Sequence, residues 1–244
     1  MSGSPRIDLF EREAARYDAW FDTARGKALF ESEVLCLREL TAELARPWLE
    51  VGVGTGRFAE ALEIDVGVDP ARAALACAER RGVRVLPAVG QRLPFAAGEF
   101  GAVFVITTMC FADDPEGLLH ETARVAGNGG AVVLGFVPAD SPWGEHYAAM
   151  GRSGHTFYSH ARFFGVDELE EIAGSAGLAV ERYASTLFRG PGDERSGVEM
   201  PRDGRHDEAG FVAVLCRAWE PPTNAPHATI RDAVREPDGT GHAR

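Results

Sequence analysis

Between residues 48 and 137, short apolar runs alternate with stretches in which apolar residues recur every three or four positions. The short runs predict buried β-strands, and the second pattern predicts amphipathic helices. The predicted strands span 48–53, 64–70, 83–89, 101–111 and 130–137, and the predicted helices span 56–63, 71–82 and 113–130. This alternation is typical of an α/β fold in which helices cover both faces of a parallel sheet.

Further elements flank this alternating region. Helical spacing predicts helices over 7–20 and 26–45, and Pro47 is expected to end the second. Residues 138–165 show no regular pattern, so we predict an irregular segment rich in glycine, histidine and aromatic residues. A helix over 166–177 and two β segments, over about 178–188 and 209–218, are predicted next. The polar, proline-containing residues 220–244 predict a flexible tail.

Three glycines, Gly52, Gly54 and Gly56, follow the first predicted strand at every second position. Without side chains, the backbone of such a loop can approach a ligand closely, and the loop opens directly into a helix. In a doubly wound sheet this loop lies at the carboxyl ends of the strands, where ligands bind. The glycines therefore predict a site for a nucleotide-containing cofactor.

The glycines alone leave two cofactors open. The NAD pattern G-x-G-x-x-G/A needs a small residue for helix–strand packing at a position that Arg57 occupies here. Glu50, just before the loop, would repel a phosphate but would suit a cationic, zwitterionic ligand. Asp69, which ends the second predicted strand, has about the spacing at which an acidic residue meets ribose hydroxyls. These residues favour S-adenosylmethionine, and an NAD-dependent oxidoreductase remains the alternative.

An ordered series of motifs strengthens this interpretation. The segment "LEVGVGTGRFA" resembles the first motif, E/D-x-G-x-G-x-G, of class I S-adenosylmethionine-dependent methyltransferases, and "VGVDP" resembles the second. "QRLPFAAGEFGAVFV" and "ETARVAGNGGAVVLGF" resemble segments of the ubiquinone/menaquinone-biosynthesis type, and "YDAWF" resembles its lid helix. "TTMCFADDP" and "FYSHARFFGVDEL" resemble a small bacterial subgroup, from which no acceptor follows. The resemblance covers most of residues 10–218.

The resemblance implies a fold, a reaction and a domain plan. The fold would be a doubly wound, seven-stranded, mostly parallel sheet whose last strand is antiparallel. The reaction would be methyl transfer from S-adenosylmethionine, with S-adenosylhomocysteine as product, to a small-molecule acceptor. One domain would span 1–219, with a lid region at 1–46 and an acceptor-side insert at 138–165, followed by the tail at 220–244. A protein that binds the cofactor without turnover is a further alternative, and a protein or nucleic-acid methyltransferase is a weaker one.

The family's cofactor contacts transfer to a set of positions in and beyond the loop. They are Tyr17, Glu50, Gly52, Gly54, Gly56, Asp69, Pro70, Val89, Gly90, Gln91 and Thr107. Two positions depart from the family pattern. Val89 replaces an aspartate that meets the adenine amino group, so a backbone group or the Gln91 amide must supply that contact. Gly101 replaces the aspartate that usually opens the fourth strand.

The candidate acceptor contacts lie in the lid, after the fourth strand and in the insert. They are Trp20, Phe21, Cys110, Phe111, His146, Tyr147 and Tyr158. We expect Cys110 to be a small buried hydrophobe rather than a nucleophile. No catalytic residue is predicted, because the cofactor itself carries the difficult chemistry. No metal is predicted either, because the spacing of His146, His155 and His160 matches no metal motif.

The composition excludes several other functions. The formal net charge of −12 is opposite to the basic surface that nucleic-acid binding requires. No apolar run reaches the length of a membrane span, and the N-terminal residues lack the apolar core of a signal peptide. The four widely spaced cysteines form no C-x-x-C pair, which argues against disulfides and zinc. We therefore expect a cytoplasmic monomer or homodimer that binds neither nucleic acid nor membrane.

Overall fold

The computed structural model describes residues 4–193, 195 and 197–219, and the predicted tail lies outside them. Its helices are α1 (Pro5–Trp20), α2 (Ala24–Arg38), α3 (Arg57–Leu62), α4 (Arg72–Arg80), α5 (Pro115–Ala126), α6 (Pro142–Arg152) and α7 (Val166–Ser175). Its strands are β1 (Trp48–Val51), β2 (Val66–Asp69), β3 (Val85–Pro87), β4 (Ala102–Ile106), β5 (Ala131–Phe136), β6 (Leu178–Thr186), β7 (Arg202–Asp203) and β8 (Phe211–Ala218). Short 3₁₀ helices span Met109–Phe111 and Tyr158–His160.

The strands form one sheet in the order β3-β2-β1-β4-β5-β8-β6-β7. Strands β3, β2, β1, β4 and β5 are mutually parallel, whereas β8 is antiparallel to both β5 and β6. The strand order reverses between β1 and β4, which is where an open α/β sheet leaves a ligand crevice. The doubly wound, mostly parallel α/β fold is confirmed.

The expected number of strands was wrong, because the described residues contain eight rather than seven. The additional strand, β7, has two exposed, charged residues that pair with Ala184 and Ser185 of β6. So short and polar a pair has no apolar alternation, and hydropathy patterning cannot detect it.

The core occupies both faces of the sheet. Strands β4 and β5 are buried along their whole lengths, as their continuous apolar runs require. One face packs against α5 and α7, and the other against α2, α3 and α4. Helix α1 lies apart from these layers and packs through Ala14 against Ala71 and Ala74, at the start of α4. It therefore lies beside the carboxyl end of β2.

The second helix is shorter than predicted. Helix α2 ends at Arg38, although the apolar spacing continues to Leu44. Beyond it, backbone N–H groups donate to the carbonyl three residues back: Leu40 to Leu37, Thr41 to Arg38 and Leu44 to Thr41. These tight turns keep Leu40 buried without continuing the α-helix.

The prediction that 138–165 is irregular was wrong, because it contains α6. The Ser141 hydroxyl accepts a hydrogen bond from the Gly144 N–H at 3.0 Å, and Pro142 occupies the first helical position. Ser at the cap and Pro at the first position are ordinary helix-start signals, which the glycine and aromatic content obscured. The Trp143 indole N–H donates to the Arg189 carbonyl at 2.8 Å and anchors the helix to the loop after β6.

No helix in the described part of the chain is long and apolar enough to cross a membrane.

Candidate functional site

The glycine loop joins β1 to α3, and at two of its three glycines a side chain would clash with neighbouring atoms. Gly52 has φ +76°, and a Cβ there would lie 2.3 Å from Thr108 Cγ2. A Cβ at Gly56 would lie 2.7 Å from the Ala78 Cβ on α4. Gly54, with φ +52°, has no atom within 4 Å of a would-be Cβ. Gly52 and Gly56 are therefore needed for packing, whereas Gly54 faces open space.

Asp69 holds the loop from the end of β2. Its Oδ2 accepts a hydrogen bond from the Gly54 N–H at 3.0 Å, and its Oδ1 accepts one from the Ala71 N–H at 2.8 Å. Burial raises the pKa of this carboxyl to about 6, although both backbone bonds favour the charged form. Asp69 is thus a carboxylate at neutral pH, fixed by the backbone and adjoining the space in front of Gly54.

Glu50 is the most enclosed charged side chain of the site, with 1% of its surface exposed. Its Oε2 has no hydrogen-bond partner among the described residues. Burial, and secondarily the charge of Asp69, hold the pKa of Glu50 well above its usual range. Buried polar atoms nearly always have a partner, so a partnerless oxygen beside a crevice indicates a donor that a ligand supplies.

The loops after β1, β2, β3 and β4 enclose one crevice with α1, and we call it the central crevice. It holds about 1100 Å³ of space including its open mouth, which suits a small-molecule cofactor. Twelve of the residues predicted from the sequence line it: Tyr17, Phe21, Glu50, Gly52, Gly54, Asp69, Pro70, Val89, Gly90, Gln91, Thr107 and Phe111.

The structure places six other predicted residues outside the central crevice. Gly56 packs on Ala78 instead, and Trp20 is exposed by 39% at the end of α1. His146 is exposed on α6. The other three, Cys110, Tyr147 and Tyr158, are half-buried on the far side of Tyr17.

Tyr147 and Tyr158 form an aromatic cluster behind Tyr17. The two rings stack with centroids 4.4 Å apart, and His155 stacks on Tyr158 at 4.6 Å. The Tyr17 ring meets Phe157 edge-on at 5.3 Å, which joins this cluster to α1. Tyr17 therefore borders both the central crevice and the aromatic cluster.

Cys110 is a neutral thiol in this setting. Its Sγ donates to the Thr107 carbonyl at 3.3 Å, and burial raises the pKa of the thiol to about 12. A nucleophilic cysteine needs a lowered pKa, so the geometry agrees with a packing role.

The residues predicted to lie near the adenine differ in exposure and in hydrogen bonding. Val89 is 40% exposed, and a Cβ at Gly90 would lie 2.9 Å from Leu118 Cδ1. Gln91 Nε2 already donates to the Asp114 carbonyl at 3.2 Å. Because an amino group donates, Gln91 Oε1, which this hydrogen bond does not use, and a backbone carbonyl both stay open as acceptors for the adenine amino group.

An ion network ties α1 over the central crevice. Arg57 Nε donates to Asp18 Oδ1 at 2.7 Å, and Arg81 Nη2 donates to Asp18 Oδ2 at 2.9 Å. Burial alone would raise the pKa of Asp18, but the hydrogen bonds from Arg57 and Arg81 outweigh it and lower the pKa to about 2. At the other end of α1, Arg6 donates to the Ala112 carbonyl at 3.2 Å and to Asp113 Oδ1 at 2.5 Å. Each end of the helix is therefore fastened to at least one residue that lines the central crevice: Arg57 at one end, and Ala112 and Asp113 at the other.

Sequence analysis did not single out Arg6, Asp18 or Glu33, and it considered Arg57 only as a misfit to the NAD motif. Arg6, Asp18 and Arg57 carry long-range ion pairs, which leave no local signal. Glu33 on α2 did leave one, because it lies four residues from both Leu29 and Leu37 on the helix's apolar face. Its charge raises the pKa of Tyr17, Tyr147 and Tyr158, which places it beside the aromatic cluster.

Comparison with known proteins identifies the family. Residues 49–134 match a family described as "Methyltransferase domain". An uncharacterised protein of Mycobacterium tuberculosis is 43% identical over 224 residues, covering 91% of this chain and 79% of that protein.

Two solved structures share the architecture. A SAM-dependent methyltransferase from Thermotoga maritima, described as a possible histamine N-methyltransferase, is 34% identical with a TM-score of 0.81, over 87% of this chain and 99% of that one. Geranyl diphosphate C-methyltransferase from Streptomyces coelicolor, solved with S-adenosylhomocysteine, shares the fold at 15% identity and a TM-score of 0.53, over 77% of each chain.

These matches confirm the expected cofactor, S-adenosylmethionine. The ubiquinone/menaquinone type within the family stays a prediction. With the fold, the glycine loop and the relatives in agreement, the chain belongs to the class I S-adenosylmethionine-dependent methyltransferases.

Proposed function

We propose that this protein methylates a small-molecule acceptor, using S-adenosylmethionine bound in the central crevice. The observation that carries the proposal is the partnerless, buried Oε2 of Glu50 beside the glycine loop. The cofactor brings a cationic amino group, which is the donor that such an oxygen requires.

Each part of the cofactor has a matching group in the central crevice. Glu50 would bind the amino group, and the open space in front of Gly54 would leave room for the amino-acid part of the cofactor. Asp69 would accept hydrogen bonds from the ribose hydroxyls, because its carboxylate keeps lone pairs beyond the two backbone bonds. The remaining proposed contacts are Tyr17, Gly52, Pro70, Val89, Gly90, Gln91 and Thr107. Gly56 would act indirectly, by packing the loop on α4.

S-adenosylmethionine supplies a methyl group that its positively charged sulfur already activates. The residues of the chain therefore have to align the acceptor and exclude water. Helix α1 is suited to the second task, since Asp18 and Arg6 fasten it over the central crevice. Residues 1–46 would then be the lid region of a single catalytic domain over 1–219.

The acceptor would enter from the aromatic cluster. Tyr17 separates this cluster from the central crevice, and Thr107 lies beside the Tyr17 hydroxyl at the end of β4. Phe21 and Phe111 line the central crevice, and Tyr147 and Tyr158 line the other side of Tyr17. Trp20 and His146 would lie at the rim, and Cys110 would fill space.

An NAD-dependent oxidoreductase is not supported. The position at which the dinucleotide motif packs a small residue holds Arg57, whose guanidinium is committed to Asp18.

Incubation with methyl-labelled S-adenosylmethionine and a panel of amines, phenols, thiols and carboxylic acids tests the proposal. The panel includes histamine, because the Thermotoga protein is described as its possible methyltransferase. We expect label in at least one acceptor and an equal amount of S-adenosylhomocysteine, both lost in Asp69→Ala. Binding of S-adenosylhomocysteine without transfer to any acceptor would contradict the enzymatic role and support a binding protein.

A further inference from the structure

Glu33 is an acidic side chain set among apolar ones. It lies on α2 one turn before Leu37, whose Cδ2 would lie 3.3 Å from a Cβ at Gly135. The Gly135 carbonyl accepts the Thr107 N–H at 2.7 Å, at the shared end of β4 and β5. Glu33 is thus held near the carboxyl ends of these strands, on the acceptor side of the proposed site.

Among the described residues, Glu33 has no ion-pair partner. Burial is the cause that raises the pKa of its carboxyl to about 8, with no hydrogen bond or neighbouring arginine acting against it among the described groups. The side chain nevertheless keeps part of its surface accessible. A carboxyl that is largely enclosed yet accessible, and has no partner among the described groups, is free to pair with a donor that a ligand brings.

Three tyrosines lie within electrostatic reach of this carboxyl. Tyr17 comes from α1, Tyr147 from α6 and Tyr158 from the 3₁₀ helix after it, and the charge of Glu33 acts on all three. The ring faces carry negative potential, so they stabilise a cation placed among them. A carboxylate within an aromatic cluster is the arrangement that recognises an organic ammonium ion.

The tyrosines and cysteines near Glu33 stay neutral around pH 7. Burial raises the pKa of Tyr17, Tyr147 and Tyr158 above the usual tyrosine range. It raises the pKa of Cys36 on α2, and of Cys110 after β4, to about 12. The charge of Arg25, also on α2, acts in the opposite direction to burial on the pKa of Tyr147. Burial, and secondarily the charge of Arg16, lower the pKa of His155, which stacks on Tyr158. Of the described acidic groups in this cluster, Glu33 is the one whose pKa lies near neutrality.

We infer that the acceptor is a protonated amine, and that Glu33 binds its nitrogen among Tyr17, Tyr147 and Tyr158 and takes one of its protons. The inference rests on the proposed methyl transfer and names its substrate class. The ammonium gives one proton to the carboxylate, which frees the nitrogen lone pair. That lone pair forms the new N–C bond while the electron pair of the methyl–sulfur bond stays on sulfur. The product is a protonated methylamine, and Glu33 releases its proton to solvent.

Matched pairs of probes test this substrate class without turnover. The full-length protein is saturated with S-adenosylhomocysteine and titrated with 2-phenylethylamine, tyramine and tryptamine, and with the corresponding alcohols 2-phenylethanol, tyrosol and tryptophol. We expect at least one amine to bind about 10- to 100-fold more tightly than its alcohol, as a charge-assisted hydrogen bond requires. Amine binding at pH 7 should release a proton, measured from the heat of binding in buffers of different ionisation enthalpy.

Two variants of α2 assign the effect to one carboxyl. Glu33→Gln copies the shape of the protonated acid, and it should abolish both the amine preference and the proton release. Glu31→Gln, an exposed position on the same helix, should keep both. Unchanged S-adenosylhomocysteine affinity in both variants shows that they are folded.

The outcomes separate the two proposals. Amines that bind no better than their alcohols, or a preference that survives in Glu33→Gln, overturn the inference and leave methyl transfer standing. Failure of the unaltered protein to bind S-adenosylhomocysteine would instead overturn the proposed function.

Discussion

Removing the Asp69 carboxylate is the most informative perturbation of the cofactor site. In the structure this carboxylate accepts hydrogen bonds from the Gly54 and Ala71 N–H groups, at 3.0 and 2.8 Å, and adjoins the central crevice. Asp69→Ala removes the proposed charge-assisted contacts to the ribose and frees the loop amide of Gly54. Charge-assisted hydrogen bonds contribute about 1.5–3 kcal/mol each, and losses at one site are not additive. We expect a total loss of roughly 2–4 kcal/mol, or about 30- to 800-fold in the Kd for S-adenosylhomocysteine.

Asp65→Ala is a matched control, because Asp65 also accepts a backbone N–H next to β2. Its Oδ2 accepts from the Trp48 N–H at 2.7 Å and from Arg46 at 2.8 Å, at the opposite end of the strand. Calorimetric titration should show that this variant has an unchanged Kd for S-adenosylhomocysteine. Thermal unfolding should show that its free energy of unfolding is lower by about 1 kcal/mol.

The pH dependence checks the same carboxylate independently. The pKa of Asp69 in the folded protein is about 6, so the group is charged at pH 7 and protonated at pH 5. The affinity gap between the unaltered protein and Asp69→Ala should therefore narrow as the pH falls through 6. An unchanged Kd in Asp69→Ala at pH 7, with Asp65→Ala also unchanged, would refute the placement of the ribose contact.

Three further perturbations test other parts of the site. Glu50→Gln keeps the shape of this buried acid, whose pKa is raised, but cannot carry a negative charge. The Kd for S-adenosylhomocysteine should rise about 10- to 100-fold while the melting temperature stays the same. An unchanged Kd would show that Oε2 has no role in binding. Asp18→Asn removes the charge that pairs with Arg57 and Arg81. The dissociation rate of S-adenosylhomocysteine, measured by stopped-flow displacement, should rise several-fold because α1 opens more readily. An unaltered dissociation rate would show that α1 is not a lid. Glu33→Gln should change the pH dependence of stability. The folded pKa of Glu33 is about 8 and its ordinary value 4.5, so its burial destabilises the protein increasingly as the pH rises from 4.5 to 8. The free energy of unfolding of the variant should equal that of the unaltered protein near pH 4.5 and exceed it by up to about 3 kcal/mol at pH 7. Denaturant unfolding at both pH values measures this difference, and the same difference at pH 4.5 and pH 7 would contradict the prediction.

The sequence was most informative where local chemistry and fold coincide. Gly52 and Asp69 were found because the turn after β1 and the end of β2 each restrict the residue types that fit. Continuous apolar runs identified β4 and β5, since strands buried on both faces leave no polar positions. These features depend on near neighbours in the chain, and they located the central crevice.

The features that were missed depend on distant residues or on weak local signals. The pairing of Asp18 with Arg57 and Arg81 joins segments that only the folded chain brings together. Helix α6 was hidden by its glycines and aromatic residues, although its Ser-Pro start was readable. Glu33 was overlooked because a single acid on an apolar helix face has no meaning until Tyr147 and Tyr158 are seen beside it. The proposed acceptor side was therefore the part of the site that the sequence predicted least well.

Parallel titrations of the purified protein with S-adenosylhomocysteine and with NADH test the central claim most directly. The central crevice, with Glu50 Oε2 partnerless and Arg57 paired with Asp18, should bind S-adenosylhomocysteine saturably at one site per chain and should not bind NADH. Saturable binding of NADH alone would contradict the assignment of the site.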